Sequence, residues 1–319
     1  MLRSLLIYLS KAEWAKNLVT NWSLAWKVAS RFIAGTTIEQ AILVVRELNK
    51  AGINTTLDQL GEHTSSVAEA NKAADGIIVT LLTIQKEDVV ANVSIKLTQI
   101  GMGTDDAACK KNLKRILETA KKCNNFVRID IEDTPYTDKT IAIYNEMLSL
   151  GFTADTIGMA VQSYLYRAEA DVRKMLEDKT KFRLVKGAYK EPENLAYPKK
   201  GDVDANYDNL AAILMDASKT TGSALRKDGV VPPIPALATH DEKRIEFAKN
   251  YQAKNGLAKD QLEFQMLYGI RRDLQAQLAD EGYPVRVYVP FGTHWYPYFM
   301  RRLAERPANI WFFISNFFR

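Results

Sequence analysis

The stretch Phe182-Arg183-Leu184-Val185-Lys186-Gly187 reads as a short strand with an arginine near its start and a lysine and glycine at its end. Alternation points Arg183 the same way as Val185 and Gly187, toward the interior of the sheet the strand joins. An inward guanidinium needs a partner, because leaving it unpaired away from water costs several kcal/mol. Which partner is available depends on the strands around it.

Seven more runs of strand character accompany it, at 54–57, 91–97, 126–131, 157–162, 235–239, 262–267 and 285–289, which makes eight. Amphipathic stretches separate them. In 106–122, Cys109, Leu113, Ile116, Leu117 and Ala120 share one helical face; Leu210, Ile213 and Leu214 do so within 207–219. Eight strands each followed by a helix predict an α/β fold, a (β/α)8 barrel with functional groups at the C-terminal strand ends. The alternative is a doubly wound open sheet. Its usual glycine fingerprint is missing, because the first strand-to-helix junction, Asp58-Gln59-Leu60-Gly61-Glu62, has no G-x-G-x-x-G. Residues 1–37 predict an N-terminal helical arm, with Trp14, Leu18, Trp22 and Trp26 at helical spacing. Residues 38–319 predict the barrel, with a C-terminal helix over the site, and 191–206 reads as a long loop on the functional rim.

Composition narrows the function. The balance of 43 Lys+Arg against 38 Asp+Glu gives +5 with no basic block, which argues against nucleic acid while leaving small anions open. Two cysteines, Cys109 and Cys123, and three histidines give neither a disulfide framework nor a closed zinc site, so no metal is expected. Leu5 to Leu9 is too short for an export signal, and a cytoplasmic location fits. The aromatic tail 310–318 is too dense for an ordinary solvated end; it packs back on the barrel or touches a membrane or partner.

The expected strand ends carry Asp58, Lys96, Asp130, Gln162, Lys186, Thr239, His240, Tyr268 and Tyr288. Asp130 is the nearest carboxylate available to Arg183 in that inventory, and the bland alternative is an Arg-Asp pair that only fills the barrel. The last helix runs from Trp295 through Tyr298 to Arg301-Arg302, with Glu305 one turn beyond Arg301. Adjacent arginines diverge by about 100°, so one site uses both only where the helix crosses the barrel mouth. With Lys96 they would then make a carboxylate or phosphate clamp; otherwise they are a solvated face. Arg271-Arg272 is an internal control without such context.

These runs, with Arg128-Ile129-Asp130-Ile131-Glu132, Ala238-Thr239-His240-Asp241, Glu263-Phe264-Gln265 and Tyr288-Val289-Pro290-Phe291-Gly292, resemble flavin-dependent proline dehydrogenases of the single-function bacterial form. The resemblance implies oxidation of L-proline to Δ1-pyrroline-5-carboxylate, with FAD as noncovalent cofactor, a quinone as electron acceptor, and a separate pyrroline-5-carboxylate dehydrogenase downstream. It implies FAD contacts from Ile131, Gln162, Arg183, Lys186, Gly187, Ala188, Thr239 and His240. It implies that Lys96, Arg301 and Arg302 hold the proline carboxylate while Tyr288 and Tyr298 wall its ring, and that Asp130 and Arg183 form the catalytic pair. A quinone acceptor adds the expectation of peripheral contact with the inner membrane face. Two other readings stay open: Lys186 as the Schiff-base lysine of an aldolase, and a barrel that binds a ligand without turning it over.

Overall fold

In the computed structural model of the protein, which describes residues 23–61 and 63–305, eight parallel strands close into a barrel in sequence order. They are β1 (Asn54–Gln59), β2 (Ala91–Ile95), β3 (Val127–Ile129), β4 (Ile157–Gln162), β5 (Phe182–Val185), β6 (Pro235–Ala238), β7 (Glu263–Leu267) and β8 (Val285–Phe291). Two helices, α1 (Ser23–Ala29) and α2 (Ile38–Lys50), precede β1. Strands β1 to β7 are followed in turn by α3 (Val67–Lys86), α4 (Asp106–Lys122), α5 (Thr134–Ser149), α6 (Ala168–Met175), α7 (Lys200–Thr221), α8 (Glu242–Asn255) and α9 (Arg272–Asp280). After β8 comes α10 (Trp295–Glu305).

Strand alternation sorts the side chains into two cores. Leu57, Val93, Ile95, Val127, Ile129, Leu184, Phe264, Val285 and Val287 point outward into the apolar layer beneath the helices. The residues between them, Thr56, Asn92, Ser94, Arg128, Arg183, Glu263, Gln265 and Arg286, are polar, buried and inside the barrel. Barrel interiors are usually filled by branched apolar residues. Here every layer must instead satisfy hydrogen bonds, since an unpaired buried donor costs about 1–3 kcal/mol. Thr56 Oγ1 donates to Asn92 Oδ1 at 2.6 Å. At the N-terminal end, the loop before β6 acts as a plug: Asn92 Nδ2 donates to the Val230 carbonyl at 2.8 Å and Arg286 Nη2 to the Gly229 carbonyl at 2.6 Å.

Helix α2 begins with a capping box between Thr37 and Gln40 and packs against both β1 and β8, the wall position that an eighth crossover helix would fill. With that place taken, α10 packs against α1 instead, joining Trp295, Phe299 and Leu303 to Val28, Ala29, Phe32 and Ile33. Trp26 meets Trp295 edge to face at 5.4 Å. This carries α10 across the C-terminal mouth of the barrel.

Several expected boundaries move. Strand β3 ends at Ile129, so Asp130 is the first residue past it, although its N–H still donates to the Ile95 carbonyl at 2.8 Å. Strand β8 continues to Phe291, so Tyr288 lies within the wall and not at its end; Tyr268 falls just after β7. Helix α7 starts at Lys200, so the rim loop covers 186–199. The first turns of α7 contain Gly201, Asp202, Asp204 and Asn206, which are poor helix formers, and contacts of Lys186 and Lys200 with Asp204 hold them in place. Cys109 is buried on α4 and Cys123 caps its end; both are free. The arm before Ser23, the tail 310–318 and the Glu305 side chain, with its expected pairing to Arg301, lie outside the described residues. Among the described residues no helix is long and apolar enough to cross a membrane, and no group of His, Cys, Asp or Glu is placed to hold a metal ion.

Candidate active site

A cavity of about 710 Å³ opens at the C-terminal mouth, between the strand ends and α10. That size and position match those of small-molecule sites in such barrels. Its floor is built around Arg183. Arg183 Nη1 donates to Asp130 Oδ1 and, at 2.8 Å, to Ser94 Oγ, while Nε donates to Gln265 Oε1 at 2.6 Å. Ser94 in turn donates to Asp130 Oδ1 at 2.8 Å. The pair expected from the inward arginine is therefore present, and it carries more partners than a space-filling pair needs.

Above it, the Tyr288 hydroxyl stands 2.6 Å from Asp58 Oδ2 and 3.0 Å from Asp130 Oδ2. Lys96 Nζ lies 3.3 Å from Asp58 and 3.9 Å from Asp130. The two carboxyls titrate in opposite directions. Burial drives Asp58 above the usual carboxylate range, and Lys96 offsets only part of that. Burial also opposes ionisation of Asp130, but Arg183 and Lys96 together outweigh it and hold Asp130 below that range. Burial beside both carboxylates pushes the Tyr288 hydroxyl well above its ordinary value.

The rim carries a second ionic cluster. Lys186 Nζ donates to Asp204 on α7 at 2.5 Å and to Asp241 at 2.6 Å, and Asp241 also caps α8 by accepting from the Lys243 N–H. The loop 186–199 is tied down at its far side, where the Glu191 carboxylate accepts from the Thr134 N–H at 2.8 Å and from the Thr134 hydroxyl, at the start of α5. Gly187 and Ala188 are exposed and line the cavity. The Leu267 N–H donates to His240 Nε2 at 3.0 Å, which leaves that nitrogen unprotonated and the proton on Nδ1. Gln162 Nε2 donates to the Glu132 carbonyl at 3.0 Å. On α10, Arg302 stacks over Tyr298 with 5.0 Å to the ring centroid.

The matching family model is proline dehydrogenase, over residues 41–313. The chain belongs to the proline dehydrogenase family. It is 38% identical over 310 residues to proline dehydrogenase 2 of Bacillus subtilis, covering 97% of this chain and 96% of that one. It is 40% identical over 294 residues to proline dehydrogenase of Deinococcus radiodurans, covering 91% and 90%. Among solved structures, proline utilization A from Bdellovibrio bacteriovorus superposes with a TM-score of 0.78 at 26% identity. That match covers 88% of this chain and 33% of the solved one, so the chain spans about a third of the larger protein's length.

Within this family barrel, the residues singled out from the sequence meet at one place. Lys96, Asp130, Ile131, Gln162, Arg183, Lys186, Gly187, Ala188, Thr239, His240, Tyr288, Tyr298, Arg301 and Arg302 all line the cavity. Because α10 crosses the mouth, both adjacent arginines reach it. The controls differ: Arg271 pairs with Glu242 and Asp273, and Arg272 stacks over Tyr268 at 5.3 Å, away from the cavity. Sequence reasoning left Asp58 out of the site and missed Asp241 and Gln265, all of which line it. The signal for Gln265 was the alternation used for Arg183, since Glu263, Gln265 and Leu267 share one face of β7.

Proposed function

We propose that the protein oxidises L-proline at its ring C–N bond to Δ1-pyrroline-5-carboxylate, with FAD bound noncovalently across the cavity as the first electron acceptor. The observation that carries this reading is the meeting of Lys96, Arg301 and Arg302 with the Arg183–Asp130–Tyr288 cluster in one cavity of a family barrel. The donor set fits a flavin: Gln162, Lys186, Thr239 and His240 offer polar groups, and Gly187, exposed and without a Cβ, permits close approach of a planar ring. When bound, the flavin supplies the hydride acceptor.

The residues of the chain do the rest. Lys96, Arg301 and Arg302 bind the carboxylate and fix the ring, and Tyr288 and Tyr298 wall it. Asp130 holds Arg183 in place, and the guanidinium would place positive charge beside a flavin bound in the cavity. A quinone takes the electrons onward, at a peripheral contact with the inner membrane face, and a separate dehydrogenase takes the product. The Schiff-base reading loses support, since Lys186 Nζ is turned toward two carboxylates and does not offer its lone pair to a carbonyl.

The purified protein is expected to be yellow, and anaerobic L-proline should bleach its flavin band. A colourless protein that borohydride links to a carbonyl substrate through Lys186 would replace this reading with the aldolase.

A further inference from the structure

A line of hydrogen-bonded side chains runs up the inside of the barrel from its plugged end and stops at Arg183. Arg286 on β8 and Glu263 on β7, 1% and 0% exposed, pair through Nε to Oε1 at 2.9 Å and Nη2 to Oε2 at 3.0 Å. The other Arg286 contacts go to the Thr55 carbonyl at 2.8 Å and the Gly229 carbonyl at 2.6 Å, so every nitrogen of that guanidinium is engaged. Gln265, on the same face of β7 as Glu263, donates Nε2 to Glu263 Oε1 at 2.6 Å and accepts from Arg183 Nε at 2.6 Å. Chemistry allows the amide only this orientation. The paired carboxylate has no proton to give, and the guanidinium has no lone pair to receive one.

On its other side, Arg183 is held through Nη1 by Ser94 and Asp130. Nη2 is then the one nitrogen of Arg183 without a partner among the described residues, and Arg183 lines the cavity. Two anchored nitrogens fix the plane of a guanidinium, whereas one leaves it free to turn about that contact. We propose that Gln265, locked by the Glu263–Arg286 ion pair, is a positioning residue that sets the rotation of Arg183 and so aims Nη2 at the reacting edge of the flavin. This rests on the flavin reading given above. A fixed cation at that edge favours the reduced, more negative form of the cofactor. Losing its aim weakens the cofactor as an electron acceptor and leaves the carboxylate clamp on α10 untouched.

The test compares Gln265→Leu, Gln265→Glu and Arg183→Met in the full chain with its flavin, reading the flavin midpoint potential alongside steady-state kinetics with L-proline. Arg183→Met is expected to lower the potential. Gln265→Leu should lower it in the same direction by less, with kcat falling about tenfold while KM stays within about threefold. The carboxyl group of Gln265→Glu can repeat both hydrogen bonds only while protonated; ionised, it faces Glu263. The charged groups around it are Glu263 on its own strand, Arg183 on β5, Arg286 on β8, and Arg128 and Asp130 on and after β3. Its potential, relative to the unmodified protein at each pH, should match at low pH and drop as pH rises.

A loss of packing alone would not give that pH profile. If Arg183→Met lowers the potential and Gln265→Leu does not, Gln265 does not position Arg183. A pH-independent offset in Gln265→Glu overturns the proposal equally, and decides it where the leucine variant does not fold. A potential unchanged in Arg183→Met would instead remove the flavin reading on which the proposal stands.

Discussion

The guanidinium of Arg183 lies over the face of Tyr288, 5.1 Å from the ring centroid. The hydroxyl of the same tyrosine bridges Asp58 and Asp130. Ring and hydroxyl are thus both used by the protein, and together they fix the wall of the cavity next to Lys96. A single hydroxyl proton cannot serve two ionised carboxylates equally. The upward shift of Asp58 and the downward shift of Asp130 mark Asp58 as the member that takes up a proton first.

Tyr288→Phe separates the two uses. The ring and its contact with Arg183 remain, while Asp58 and Asp130 lose their shared donor. Stability measured by urea unfolding at neutral pH should fall by about 1.5–3 kcal/mol, the worth of a hydrogen bond to a charged group, with Lys96 still donating to Asp58 at 3.3 Å. Unchanged stability would show that the bridge contributes nothing.

Arg301→Met and Arg302→Met should each raise KM for proline, because each removes charge-assisted hydrogen bonds worth about 1.5–3 kcal/mol. Arg271→Met and Arg272→Met are the matched controls, since their partners lie away from the cavity. Equal losses of proline affinity in the two pairs would take the clamp off α10.

The eight strands were legible because their outward faces are apolar, and β-branched in β2, β3 and β8, and the candidate site because a polar residue at a barrel strand end has few structural reasons to be there. What stayed hidden was the depth of the polar interior. Arg128, Glu263 and Arg286 sit below the strand ends, where an inventory of strand-end residues does not reach them, although alternation puts Glu263 on the same face as Gln265. The start of α7 was hidden for another reason. Its local sequence favours a loop, and a partner outside the helix, Lys186 just after β5, overrides that preference. The crossing of α10 over the mouth depends on α2 having taken the wall position, a competition between two helices that neither segment reveals alone.

Gly187 has φ +122°, and a Cβ there would stand 2.4 Å from the Tyr164 ring. Gly187→Ala should therefore cost about 1–3 kcal/mol from backbone strain, with the clash added, and reduce the flavin retained on purification. Gly201→Ala is the contrast. It lies in the first turn of α7 with open space around its Cβ position, and should stabilise by about 0.4–1 kcal/mol. Thermal unfolding of the two variants side by side checks both signs.

Asp208 on α7 gives the pH dependence. Burial pushes its carboxyl up to about 6 against the pull of Arg244. The Arg244 Nε lies 2.9 Å from Asp208 Oδ1 without hydrogen-bond alignment, so compensation is incomplete. Between its ordinary value of 3.8 and about 6, the folded protein keeps a proton that the unfolded chain has lost. Folding then binds a proton, so this group's contribution is fully present below the lower value and is lost as pH rises through the upper one. Asp208→Asn removes that component whatever it does to Arg244 at a single pH. The drop in Tm from about pH 5 to about pH 7 should therefore be smaller in Asp208→Asn than in the unmodified protein. An identical drop in both would mean that Asp208 titrates in the folded state as it does in the unfolded chain.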